Sequence, residues 1–170
     1  YGHERPRWFA RDGVAQYDHY SFRRNCVHDV VAAECRAVRE AVGIMDISAF
    51  TKVEVSGPDA ESWLGGLVAN KLPVKVGGTA LTHMLNERGR VELETTIFRL
   101  EDARYYLVCA AFFEQRLLDH LARYQADADV KITLRSDDWT ALALNGPYAR
   151  EVLAQCTDAD LSNSGFRWLS

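Results

Sequence analysis

The sequence predicts an α+β fold: an antiparallel or mixed sheet with packed helices. Three observations predict it. Apolar and alternating segments are joined by tight polar turns, which suits antiparallel pairing. Stretches of 3.6-residue period are interspersed among them. No Gly-x-Gly-x-x-Gly or P-loop occurs, so no standard nucleotide cradle accompanies a doubly wound parallel sheet.

Residues 1–25 are polar, aromatic and irregular, with Trp8, Phe9, Tyr17, Tyr20 and Phe22 spaced without a period. Such a segment packs on a body as a strap or linker. The first helix is expected over about 29–42, where Val31, Cys35, Val38 and Val42 share one face. Gly43 follows as a natural C-cap. Lys52 to Val55 alternates polar and apolar, as a half-buried strand does. Pro58 and the acidic pair Asp59 and Glu61 then suit a helix N-terminus, with Trp63, Leu64, Leu67 and Val68 as its buried face. Residues 70–78 form a loop broken by Pro73 and Gly77-Gly78.

A hairpin is expected next. Thr79 to Leu85 is one strand, Asn86 to Arg90 the turn, and Val91 to Leu100 the return. Strict alternation puts Val91, Leu93, Thr95, Ile97 and Arg99 on one face, and Glu92, Glu94, Thr96, Phe98 and Leu100 on the other. A strand over 105–111, a helix over about 113–124, strands over 130–134 and 140–144, and a helix from Pro147 to Gln155 complete the chain. Phe113, Leu117, Leu121 and Tyr124 mark the core stripe of the longer of these two helices.

Composition bounds the function. The chain has 170 residues, 48% hydrophobic and 26% charged, with a net charge of −4. That is the balance of an ordinary globular domain, and no basic field favours nucleic-acid phosphates. No apolar run approaches the roughly 18 residues of a membrane span. The start lacks an initiator Met and an apolar signal core, and the end follows an apolar cluster, so the sequence reads as a piece of something longer. Its four cysteines, Cys26, Cys35, Cys109 and Cys156, match no zinc spacing and are too sparse for a disulfide scaffold. Cys26-Val27-His28 offers two metal ligands, which do not close a site. Cysteine use therefore points to a reducing compartment, the cytoplasm or an organelle matrix.

Candidate chemistry is sparse. Glu92 and Glu94 are expected on one strand face, where a desolvated carboxylate can do acid–base work. His83 is either a base or a core histidine. Arg88 and Arg90 flank the turn glycine, either as exposed turn residues or as contacts for an anionic ligand tail. Ser48 near Asp46 lacks a histidine partner, which argues against a Ser-His-Asp triad.

Three stretches together resemble the folate-binding domain of the glycine-cleavage T-protein (aminomethyltransferase) family. They are Val42-Gly43-Ile44-Met45-Asp46-Ile47-Ser48 with Lys52 to Ala60, Leu85-Asn86-Glu87-Arg88-Gly89-Arg90-Val91, and Ala143 to Leu153. Segments Glu4 to Phe9, Ser21 to Arg24, Glu34 to Glu40 and Leu81 to Arg90 are similar to the dimethylglycine and sarcosine dehydrogenase branch. The resemblance implies that residues 1–25 are the link from a missing upstream FAD domain. It implies that 26–170 are the first part of a folate domain holding tetrahydrofolate, which captures a one-carbon unit as 5,10-methylenetetrahydrofolate. The family carries an acidic residue, usually Asp, eight positions beyond the hairpin Asn. Here that position is Glu94, the implied catalytic carboxylate, projecting into a cleft for the reduced pteridine. Met45, Met84 and Leu85 match positions near the pterin. Cys109 stands where the family has an Asn able to read the pterin edge. That exchange leaves an alternative open, a scaffold or regulatory module that no longer binds folate. On the leading reading the parent is a FAD-dependent N-methyl amine dehydrogenase, in the cytoplasm or a mitochondrial matrix. Its partners are small-molecule folate and the flavin domain, without nucleic acid or membrane.

Overall fold

A computed structural model describes residues 12–17 and 20–169. Trp8, Phe9 and the segment Glu4 to Phe9 lie outside the described residues. The elements in order are α1 (His28–Glu40), β1 (Gly43–Asp46), β2 (Thr51–Ser56), α2 (Ala60–Leu67), β3 (Thr79–Leu85), β4 (Val91–Glu101), β5 (Arg104–Cys109), α3 (Glu114–Arg123), β6 (Lys131–Leu134), β7 (Leu142–Asn145) and α4 (Ala149–Leu153). A single 3₁₀ turn, Ala111–Phe113, leads into α3. The α+β expectation holds. Its one omission among the strands is β1, four residues that lack alternation and are largely exposed.

The chain forms two compact units: 1–44 with 144–153, and 45–143 with 154–170. The first holds α1 and α4, and Tyr148 donates its backbone N–H to the Ala41 carbonyl. The stripe expected to bury α1 is present but open. No residue of that helix is buried, and Val31 is 48% exposed. Periodicity tells which face is apolar; it does not supply the surface that covers it.

The second unit is built on a five-stranded sheet in the order β3-β4-β5-β2-β6, and every neighbouring pair is antiparallel. A two-stranded sheet pairs β1 with β7. The register defines two faces of the larger sheet. Val53, Val55, Leu93, Ile97, Tyr105, Leu107 and Met84 point to one, where Ala60 and Leu64 of α2 and Leu117 and Leu121 of α3 close the core over them. The Trp63 indole donates to the Tyr124 carbonyl at 2.7 Å and ties the end of α3 to α2. Arg99 occupies the core face at 7% exposure. Its guanidinium meets both carboxylate oxygens of Glu61 (3.0 and 2.9 Å) and the carbonyls of Pro73, Val74 and Asp102.

The opposite face is half-covered. Lys52 is fully buried there, and its ammonium donates to the carbonyls of Ser48 (2.6 Å), Phe50 (2.9 Å) and Ser136 (3.2 Å). Phe98, Tyr106 and Trp139 follow one another across it, with ring centroids 5.7 and 5.0 Å apart. Gly89 takes φ +70° in the hairpin turn, as the sequence predicts. Gly57 at φ +134° is needed for a second reason: a Cβ there would sit 2.3 Å from the Asp129 carbonyl oxygen.

The hairpin departs from strict alternation at one point. Met84 pairs with Leu93, but Leu85 pairs with Val91, so Glu92 is an extra residue in β4. Such a bulge rotates the strand locally and re-aims a side chain.

The packing gives a stability contrast. Leu107→Ala in the core should lower unfolding free energy by about 2–5 kcal/mol. Val31→Ala on the open α1 face should change it by less than about 0.5 kcal/mol. Urea unfolding of both variants checks this; equal losses would mean that the α1 stripe is covered.

Candidate functional site

The hairpin β3–β4 carries the candidate carboxylates, and the bulge separates them. Glu94 lies opposite His83 across the strand pair, and His83 Nε2 is 3.2 Å from Glu94 Oε2. Both side chains are substantially exposed, 44% for His83 and 58% for Glu94. Glu92 instead meets α3. Its Oε1 accepts from the Asn86 carboxamide at 2.9 Å, and its Oε2 accepts from Arg116 Nε at 2.8 Å and from Arg116 Nη2. The expectation that the two carboxylates share a face is therefore corrected. One extra residue turns Glu92 toward α3 and leaves Glu94 on the open side.

Electrostatics differ accordingly. The Asn86 hydrogen bond, then that from Arg116, hold the Glu92 carboxyl below the ordinary carboxylate range, against the opposing effect of burial. The Asn86 side-chain oxygen also accepts the backbone N–H groups of Arg88 (2.9 Å) and Arg90 (3.0 Å), so this residue pins the whole turn.

The face carrying Glu94 is an apolar platform. Register places Leu81, Thr96 and Val108 in one row, and Phe98 and Tyr106 in the next. Leu81 is 54% exposed and Phe98, Val108 and Tyr106 are half-buried. Burial raises the Tyr106 hydroxyl pKa. Glu94 and His83 stand at the edge of this platform. Among the described residues, Glu94 projects from an open sheet face rather than into a cleft.

The other expected ligand contacts fall in different places. Met84 is fully buried on the core face, behind the platform. Cys109 is also on the core face at 3% exposure, paired with Thr51 across the strands. Burial pushes its thiol up to about 11. Leu85 is 37% exposed at the end of β3, and Met45 is 59% exposed on β1. The platform thus brings Glu94 and His83 together. Met84 and Cys109 support the sheet from behind, out of reach of a ligand lying on the platform. Ser48 is structural: its N–H donates to Asp46, and its oxygen accepts from the Ala141 N–H at 3.0 Å.

Sequence reasoning did not assign Arg116 and His120 to this region. They sit on α3, and only the fold brings them to the hairpin; their place off the Leu117–Leu121 spacing was the available signal. Among the described residues no group of three or more His, Cys, Asp or Glu side chains is placed to hold a metal ion. No helix among them is long and apolar enough to cross a membrane.

Comparison with known proteins gives a consistent neighbourhood. Residues 1–170 match the family described as the GCVT N-terminal domain. Mitochondrial dimethylglycine dehydrogenase of Mus musculus is 36% identical over 99% of this chain and 19% of its own length. Mitochondrial sarcosine dehydrogenase of Homo sapiens is 30% identical over 98% of this chain and 22% of its own length. The chain therefore spans about a fifth of these curated relatives. The crystal structure of glycine cleavage system aminomethyltransferase T from Bartonella henselae superposes with a TM-score of 0.72 at 27% identity, covering 82% of this chain and 38% of that one.

Two outcomes follow from the site chemistry. A thiol reagent at about pH 8 should modify the exposed Cys26, Cys35 and Cys156 in the native protein and spare Cys109 until unfolding; four reactive thiols in the native state would contradict the burial. Glu92, with its pKa lowered by folding, stabilises the hairpin–α3 contact above the unfolded carboxyl pKa and loses that effect as pH falls through its folded value. The Asn86 side-chain amide resonances should shift as pH is lowered below about 4.5, a response absent in Glu92→Gln.

Proposed function

Because the chain belongs to the GCVT N-terminal domain family, we propose that it is the tetrahydrofolate-binding, aminomethyltransferase-like portion of a FAD-dependent N-methyl amine dehydrogenase. The observation that carries this reading is the apolar sheet face edged by Glu94. A reduced pteridine is a flat ring with amine and amide edges, and a platform of Leu81, Phe98, Val108 and Tyr106 with one carboxylate at its rim suits such a ring. Tetrahydrofolate, when bound, supplies the nucleophilic nitrogen that captures the one-carbon unit as 5,10-methylenetetrahydrofolate.

The chain's own residues hold and orient that amine. Glu94 offers its carboxylate to an N–H at the platform edge and favours positive charge developing there. His83 donates to Glu94 Oε2 and fixes the carboxylate rotamer, leaving Oε1 for the ligand. Leu85 and Met45 are proposed to contact the ligand from the exposed surface. Met84 and Cys109 are assigned to the same pocket only as supports beneath it. In the longer parent, the remainder of the domain closes over the platform and turns it into a cleft. The FAD belongs to another region of that parent, since this sequence carries no dinucleotide fingerprint. The mitochondrial naming of the mouse and human relatives supports a matrix location in a eukaryotic parent, and the cytoplasm is the location otherwise.

A second reading is favoured by Cys109. It replaces an Asn that the family resemblance implies for reading the pterin edge, and that exchange fits a scaffold or regulatory module without folate, although the thiol itself faces the core. Calorimetry of the parent protein with tetrahydrofolate separates the two. Binding should weaken about tenfold or more in Glu94→Gln, the worth of one charge-assisted hydrogen bond, and by less in His83→Gln. Absence of heat at saturating folate would overturn the folate reading and leave the scaffold.

A further inference from the structure

The end of the hairpin holds a second surface whose chemistry the folate reading does not use. Arg88 and Arg90 from the β3–β4 turn face Arg123 of α3 across a hollow of about 300 Å³. Among the described residues no hydrogen bond or ion pair engages any of these three guanidinium groups. Arg116, the nearby fourth, is already committed to Glu92. Both oxygens of Glu92 are in turn occupied by Asn86 and Arg116, so Glu92 does not neutralise the other three. Glu87 is the one remaining carboxylate on the rim. Three unpaired cations against one unpaired anion is a local surplus on a chain whose net charge is −4.

A purely structural reason covers part of this surplus. Arg123 and His120 occupy the last turn of α3, where positive charge offsets the helix's negative end. That reason does not reach Arg88 and Arg90, which stand on the facing wall. The turn that bears them is pinned by the Asn86 side chain, so their stems are held at a fixed spacing. His120 supplies an independent observation. It lines the hollow at only 7% exposure, its ring tilted against that of Tyr124 with centroids 4.9 Å apart. Among the described residues no protein group hydrogen-bonds either ring nitrogen, which leaves both to solvent or to a ligand in the hollow.

We propose that this hollow binds a small organic polyanion carrying two or more carboxylate or phosphate groups, held by Arg88, Arg90 and Arg123, with His120 donating from the floor. Guanidinium groups present planar donor forks that match the oxygens of both groups. Three guanidinium groups lining the hollow from the turn and from α3 suit more than one anionic group. Burial lowers the His120 pKa, Glu92 opposes that, and Arg123 and Arg116 reinforce it. In either protonation state the ring carries at least one N–H to donate. The proposal stands independently of the folate reading, because none of its residues lies on the Glu94 platform.

Calorimetry and NMR of the protein with tricarballylate and with pyrophosphate test it, the two arms separating carboxylate from phosphate chemistry. At least one anion should bind with a Kd below about 1 mM, weakening as salt rises. The His120 ring resonances should shift on binding. Arg90→Ala and Arg123→Ala should each weaken binding about tenfold, whereas Arg104→Ala, at a different turn, should leave it unchanged. Absence of binding to either anion, binding that leaves His120 unmoved, or equal loss in Arg104→Ala would each overturn the proposal.

Discussion

One buried cation organises the sheet unit. Arg99 points into the core from β4, where an apolar residue would ordinarily stand. Its side chain collects Glu61 from α2, the Pro73 and Val74 carbonyls from the loop before β3, and the Asp102 carbonyl from the β4–β5 turn. Its backbone N–H donates to Gly78, and its carbonyl accepts from Gly77. Three segments of chain are thus fixed to one strand residue. A charge placed there is costly unless its donors are met, and removing a partner would leave that cost uncompensated. The bidentate Glu61 contact also raises the pKa of Arg99, so the group stays cationic throughout. With the loop and the turn held, β3, β4 and β5 keep the register that gives the platform its shape.

Much of this arrangement is legible in the residues. The alternation from Leu93 to Leu100 separates core face from platform face, and it places Arg99 with the apolar set. The Leu117–Leu121 spacing finds the buried side of α3, and Gly89 marks the turn. What escapes is what depends on distant partners. The bulge at Glu92 follows from how the turn meets β4, not from a local pattern, and it alone separates the two carboxylates. The Asn86, Glu92 and Arg116 contact joins positions 24 residues apart in its longest step. The open face of α1 shows the converse: a correct period with no buried residue beneath it.

Family likeness and geometry contribute different things. The likeness spans the whole chain and identifies its ancestry. It singles out Glu94 by counting from Asn86. Geometry then adds a partner, His83, and an apolar surface beside it. Geometry also sorts the remaining family-matched positions by depth. Met84 and Cys109 lie beneath the sheet, whereas Leu85 and Met45 reach solvent. A position can match a ligand-binding pattern and still serve by packing, because strand alternation sends neighbours to opposite sides.

The extra residue at Glu92 has a consequence for how such a domain diversifies. It acts as a joint between the loop end of the ribbon and the flat stretch behind it. Replacements among positions 86–92 change the side chains presented at the loop end, while the alignment of His83 with Glu94 is set by pairs further along. The two ends can therefore differ in side chains independently of each other, and a single-residue deletion at the joint would return β4 to strict alternation.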